Sequence, residues 1–181
     1  MVHDSEDCSA ADELQQLSHR VHHDIVECGH LVGGDNGIGT TFSAIRLLSD
    51  RCLFSHVGDS SIYFSNGSGI KKISKCHTLG DELIEKHGPE AANDMPEHYM
   101  HTLTRCMGQD IDFEVDLGEQ ILSPGDQLLI CSDGVTNMVE LDEINQMMSD
   151  LEPKDFIHAL IDAANQNGGV DNSTAVTLKI S

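Results

Sequence analysis

A chain of 181 residues is long enough for one domain with a real core and too short for two generous ones. It is 39% hydrophobic, which suits a globular protein and excludes a disordered one. Ten Lys and Arg stand against 31 Asp and Glu, a formal net charge of -21, so the chain offers no basic surface to a nucleic-acid backbone or an anionic membrane face. Such an excess of carboxylates serves solubility first, and beyond that hard divalent cations or cationic partners.

The six cysteines, at positions 8, 28, 52, 76, 106 and 131, stand 20 to 30 residues apart with no CxxC pair. A zinc ribbon is thereby excluded. Met1 to Ala11 carries acids where a secretion signal needs a basic end and an apolar run. No stretch approaches the ~18 apolar residues of a membrane span. We therefore expect a cytoplasmic protein with free thiols.

In chain order, residues 1–9 read as a polar, acidic tail, and a helix is predicted from Ala10 to about Leu31. Leu14, Leu17, Val21, Ile25 and Cys28 recur along it at helical spacing, and the glycines from Gly33 to Gly37 end it. Strands are predicted at Thr40 to Leu48, at Arg51 to Val57, and at Ser61 to Phe64 and Ile70 to Ile73 around Asn66-Gly-Ser-Gly69. The last three read as an antiparallel meander. Leu79 to His101, with two prolines and few large apolar residues, reads as an exposed insertion opening with a short helix. Strands follow at about Asp112 to Leu117 and Gln127 to Cys131, then helices at Leu141 to Ser149 and Pro153 to Asn165, and a last strand at Thr174 to Ile180. The order predicts an α+β layered domain over residues 10–181, not alternating βαβ units.

Three strand ends carry an acid. Ser132-Asp133-Gly134 follows a wholly apolar run, Asp171-Asn172 stands between Gly168-Gly169 and the last strand, and Asp59-Ser60 follows Phe54-Ser-His-Val-Gly58. An ionised Asp where a buried strand emerges is costly unless it is paired, hydrogen-bonded or bound to a cation. Each segment alone is ordinary turn chemistry. Three acids converging at one rim of a sheet would suit a hard divalent metal, though spacing does not show convergence. Cys131, inside its apolar strand, reads as core and not as a nucleophile. His19, His22 and His23, at i, i+3 and i+4, read as a solvated helix face more readily than as a transition-metal site. The alternating acids Asp110, Asp112, Glu114 and Asp116 read as a solvated strand face.

Gly39-Thr-Thr41, His56-Val-Gly-Asp-Ser60, Leu103-Thr-Arg-Cys-Met-Gly108, Pro124-Gly-Asp-Gln-Leu-Leu-Ile-Cys-Ser-Asp-Gly134 and Gly168-Gly-Val-Asp-Asn172 resemble, in order and spacing, the successive motifs of the metal-dependent protein phosphatases (PPM, type 2C). The resemblance implies two packed antiparallel sheets flanked by helices, and Mn- or Mg-dependent hydrolysis of phosphoserine and phosphothreonine in proteins at a two-metal centre. It implies that Asp133 and Asp171 are metal ligands. Gly39, Thr40, Thr41, Asp59, Ser60, Gly134 and Asn172 become supporting residues near the site, and Leu79 to His101 a flap. Cys76-His77 stands where the family usually has Asp-His, whose Asp serves a third metal.

The family also carries an N-terminal Asp-Gly-x-Gly-Gly motif whose Asp bridges both metals, and nothing in Met1 to Asn36 replaces it. From sequence, then, the domain is expected to be N-terminally incomplete, with unpaired sheet edges through which copies pair. Two functions stay open: a metal-dependent serine/threonine phosphatase, or a catalytically impaired or truncated phosphatase-like module with a binding or regulatory role.

Overall fold

In a computed structural model, residues 3–33, 37–109 and 113–181 are described, with side chains from Ala10 onward. The chain forms two compact units, one of residues 1–59 and 75–119, the other of residues 60–74 and 120–181.

The first unit opens with helix α1 (His3–Val32). It starts at His3 and not at Ala10, so residues 3–9 of the expected tail are helical. Ala10 and Leu14 pack against Leu53, and the Ser18 hydroxyl, itself buried, donates to the Leu14 carbonyl and pairs with Ser55 Oγ. Strand β1 (Phe42–Leu47) pairs antiparallel with β2 (Arg51–Val57), which lies between β1 and β5 (Asp116–Ile121). A central strand buries both sides of its pleat, and Cys52 through Val57 are all buried. β5 begins later than the Asp112 of the sequence-based assignment, which itself lies outside the described residues. Gly118 obscures that strand in the sequence, yet the fold needs it: a β-carbon there would lie 2.3 Å from the Phe54 ring.

Between these strands run α2 (Leu79–His87) and two 3-10 turns, Pro89–Asn93 and Glu97–His101. Thr78 caps α2, accepting from the Asp81 amide at 3.1 Å and donating to the Asp81 carboxylate at 2.6 Å.

The second unit is a four-stranded antiparallel sheet in the order β4-β3-β6-β7, built from β3 (Ser61–Asn66), β4 (Gly69–Lys72), β6 (Gln127–Cys131) and β7 (Ala175–Lys179). After β6 come the one-turn helix α3 (Asp133–Thr136) and the helices α4 (Leu141–Asp150) and α5 (Pro153–Gln166). Leu129 of the sheet joins Ile144 and Met148 of α4 and Phe156 and Leu160 of α5 in one buried cluster. Apolar residues at helical spacing on α4 and α5 account for it.

Two antiparallel sheets flanked by helices are thus present, as expected. The meander is not. β2 and β3 belong to different sheets, because the chain turns at Gly58, whose φ of 109° is open to glycine and rarely to other residues. No helix among the described residues is long and apolar enough to cross a membrane.

Candidate metal-binding loops and a buried histidine relay

In the second unit β6 runs buried as far as Cys131 and emerges at Ser132. Ser132 is the N-cap of α3, and Asp133 its first residue. Antiparallel pairing of β6 with β7 brings the Asp171 segment alongside, and a ladder of side-chain bonds ties the two loops together. Ser132 Oγ donates to the Asn172 carbonyl at 3.1 Å and accepts from the Thr174 amide at 3.0 Å. The Ser132 amide donates to the Thr174 carbonyl at 3.0 Å, and Ser173 Oγ to the Gly134 carbonyl at 3.0 Å. Gly134 is buried beneath this crossing: a β-carbon there would stand 2.5 Å from the Asn172 carbonyl oxygen.

Asp133, Gly134, Asp171 and Asn172, expected together from sequence, lie in these two laced loops. Asp171 is exposed and Asp133 half-buried. Asn137 Nδ2 donates to Asp133 Oδ2 at 3.3 Å, and Asp171 Oδ1 accepts from the Asn172 amide at 2.7 Å. Carboxylate oxygens are the donors that hard divalent cations select, so the donor type fits the metal implied by the resemblance. Among the described residues no set of three or more His, Cys, Asp or Glu gathers round one point. The loops therefore offer two carboxylates. Beneath them, burial pushes the Cys131 thiol up to about 12, with Asp133 adding to the rise and Lys72 opposing it, which keeps it an inert core group.

The remaining expected site residues divide by unit. Gly39, Thr40, Thr41, Asp59, Cys76 and His77 belong to the first unit, and Ser60 opens the second. Thr40 bridges Met107 through two backbone bonds of 3.1 and 2.9 Å, and the Thr41 methyl packs where a β-carbon on Gly58 would sit, 2.4 Å away. The Gly-Thr-Thr and Val-Gly-Asp segments are complementary for this reason. Gly39 lies against the Cys106 sulfur, and Asp59 follows Gly58 half-buried.

His77 is fully buried, and its setting was missed from sequence. The Gly58 amide donates to His77 Nδ1 at 3.0 Å, so that nitrogen is unprotonated and Nε2 carries the hydrogen. Nε2 donates to Asp116 Oδ2 at 3.0 Å, while Arg105 Nη1 donates to Asp116 Oδ1 at 2.9 Å. His56 lies beside it, ring centroids 5.3 Å apart, giving its Nε2 hydrogen to the Gly58 carbonyl at 3.1 Å and pairing its Nδ1 with Ser43 Oγ at 2.8 Å. Burial lowers the His77 pKa, and outweighs the opposing pull of Asp116. For Asp116 burial acts upward, but the hydrogen bonds from His77 and Arg105 prevail and hold its carboxyl below the usual range. Asp116 is thus no member of a solvated strand face. Its acid neighbours gave it a solvent-facing pattern, whereas the basic partner in Leu103-Thr-Arg105 was the available signal.

The three helix histidines likewise assemble no metal site among the described residues. The His22 ring stacks on Phe113 at 4.0 Å and accepts from the Gly108 amide at 3.3 Å, and His19 meets Phe113 edge-on at 5.4 Å. His19 and His23 keep to the exposed face expected of them, His23 paired with Glu27 at 3.3 Å, while His22 is half-buried. Among the described residues, Cys28, Cys52, Cys76, Cys106 and Cys131 form no disulfide.

No protein-family model matches the chain. Over 157 residues it is 32% identical to the protein phosphatase PhpP of Streptococcus pneumoniae, covering 83% of this chain and 63% of that one. The solved serine/threonine phosphatase of S. agalactiae superposes with a TM-score of 0.83 at 29% identity, over 94% of this chain and 72% of the other. The catalytic domain of the serine/threonine protein phosphatase PstP, in complex with two manganese ions, does so at 0.78 and 26%, over 93% and 72%. The chain spans less than two thirds of the length of its pneumococcal relative.

Proposed function

The chain belongs to the type-2C family of metal-dependent protein phosphatases, and on that premise we propose that it serves the hydrolysis of phosphoserine and phosphothreonine monoesters in proteins. The observation that carries this is the lacing of Asp133 and Asp171 by Ser132, Asn172, Ser173 and Thr174. Two carboxylates on hydrogen-bonded loops are suited to hold Mn or Mg, and the manganese-bound PstP structure supports that choice of metal. When bound, such cations lower the pKa of a water and neutralise phosphoryl charge. The protein's own part is to fix the two aspartates before a ligand arrives, so that little ordering cost remains to be met. We place it in the cytoplasm, and its acid excess supports a phosphoprotein substrate over a nucleic acid or an anionic membrane face.

A second reading is a phosphatase-like module that binds phosphorylated or basic partners without turnover. It draws on the two-carboxylate donor set among the described residues. Turnover of p-nitrophenyl phosphate at millimolar Mn separates the two. The enzyme reading expects measurable turnover that falls at least tenfold in Asp133→Asn and in Asp171→Asn, with Mn affinity falling alongside in calorimetry. A chain that folds and binds Mn but shows no turnover belongs to the second reading.

A further inference from the structure

The loop carrying Asp171 is tied to the Asp133 segment after its aspartate, through Ser132, Ser173 and Thr174. It is tied before the aspartate as well. Helix α5 packs Phe156, Leu160 and Ala164 into the core of the second unit. It ends on two backbone bonds: the Gly168 amide donates to the Asn165 carbonyl at 3.3 Å, and the Gly169 amide to the Ala164 carbonyl at 3.1 Å. Both glycines have positive φ, 137° and 54°. Two such reversed bonds make a Schellman closure, which fixes the direction of the last helical turn. Asn167, the C-cap residue, stands on that closed turn.

From there the Asn167 side chain leaves its own helix. Its Nδ2 donates at 2.8 Å to the Met138 carbonyl, just past the end of α3. Met138 follows Asn137, whose amide donates to the Asp133 carbonyl at 2.8 Å and whose Nδ2 donates to Asp133 Oδ2 at 3.3 Å. A helix end rooted in the core thus grips the segment that holds the Asp133 carboxylate. Asp171 lies between this grip and the Ser132–Thr174 bond. Asn167 is exposed, and its amide could be given to water at little loss. A fixed protein partner therefore contributes more to the placement of the loops than to the stability of the fold.

We propose that Asn167 is a positioning residue for the two aspartates: by holding the Met138 carbonyl it sets the spacing of the Asp171 and Asp133 segments from one end, while Ser132 sets it from the other. Its purpose there rests on the phosphatase reading; its hydrogen bond does not. A loop anchored at both ends has less freedom left to lose when its carboxylate takes a ligand. With one anchor gone the other still restrains Asp171, and with both gone the aspartate is released. The two anchors are therefore coupled, each counting for more when the other is missing.

Asn167→Ala removes the donor without adding charge, and Ser132→Ala and the double variant complete a cycle. Amide hydrogen exchange, calorimetric Mn titration and urea unfolding of the full chain are the readouts. Asn167→Ala should speed exchange of the Asn172 and Thr174 amides roughly threefold or more and weaken Mn binding by a similar factor, with the urea midpoint almost unchanged. The double variant should lose more than the product of the two single effects. Unchanged exchange at Asn172 and Thr174 in Asn167→Ala would overturn the proposal. So would a fallen midpoint with exchange raised equally in β6 and α5, because Asn167 then serves stability alone, and so would single effects that simply multiply. A native chain that binds no Mn would remove the metal-dependent phosphatase reading, and exchange of the loop amides would still decide the role of Asn167.

Discussion

The Ser132 hydroxyl donates to the Asn172 carbonyl and accepts from the Thr174 amide, at 3.1 and 3.0 Å, so one oxygen joins the Asp133 loop to the Asp171 loop. Ser132→Ala removes both bonds and leaves the backbone partners to water, since Asn172 and Thr174 are exposed. The cost in global stability should therefore be small, about 1 kcal/mol. Its effect on the loops should be larger than that figure suggests, because the carboxylates lose their common anchor. Calorimetric Mn titration should show at least a threefold loss of affinity with an almost unchanged urea midpoint. Unaltered Mn binding would mean that the lacing does not position the aspartates.

The buried relay predicts a dependence on pH. His77 has its pKa lowered by burial from an ordinary 6.5, so the unfolded chain takes up that proton before the folded one does. Its contribution to stability is complete above about 6.5 and is lost as pH falls below that value, by up to about 1.4 kcal/mol per pH unit. The loss levels off once the folded-state pKa is passed. Asp116, whose pKa is also lowered, acts in a separate and more acidic window: its contribution is present above its ordinary 3.8 and lost as pH falls through the folded value. His77→Asn keeps an acceptor within reach of the Gly58 amide but has nothing to protonate. Urea unfolding between pH 7 and pH 5 should give a shallower slope for this variant than for the native chain. Parallel slopes would place the titration elsewhere.

The thiols should sort by environment. At pH 8 a thiol with a pKa of about 12 is thiolate in roughly one molecule in ten thousand. Cys131 is thus protected chemically as well as sterically, and Cys106, also raised by burial, and Cys52 are buried too. Cys28 is exposed. Iodoacetamide on the native protein, read by peptide mass, should modify Cys28 quickly and leave Cys52, Cys106 and Cys131 until denaturant is added. Labelling of Cys131 at the rate of Cys28 would contradict the buried β6 strand.

Periodicity alone placed β2, β6, α4 and α5 to within a residue or so, because each has a strong apolar pattern bounded by turn residues. It failed where tertiary packing decides. β5 carries Gly118 at its interior, and only the Phe54 ring across the sheet explains why. The break between β2 and β3 rests on the φ of Gly58, which no alternation pattern reports. At the candidate site, motif order paired Ser132-Asp133-Gly134 with Asp171-Asn172, and the structure supplies the reason in the bonds across them. His77, Asp116 and Arg105 lie up to 39 residues apart in sequence, and their meeting is a product of long-range strand placement.

Glycine-to-alanine substitutions can separate the two physical demands that this fold makes on its glycines. Gly67 has open space about it and no positive φ, so Gly67→Ala should change stability by no more than about 0.5 kcal/mol. Gly125 also has open space, but a φ of 94°, and Gly125→Ala should cost about 1–3 kcal/mol from backbone strain alone. Gly134 makes the opposite demand: its φ is ordinary, but the Asn172 oxygen would be 2.5 Å from a β-carbon, and Gly134→Ala should cost about 1–3 kcal/mol by crowding. Gly58 has both constraints, a φ of 109° and the Thr41 methyl at 2.4 Å, so Gly58→Ala should be the most damaging, on the order of 4 kcal/mol or more. Thr41→Ser removes that methyl, and in the Gly58→Ala background it should recover part of the crowding cost and none of the strain. Urea unfolding of the four single variants and the double variant gives the ranking directly. If Gly58→Ala proves no worse than Gly125→Ala, the packing of Thr41 against Gly58 is not what shapes the turn between the sheets.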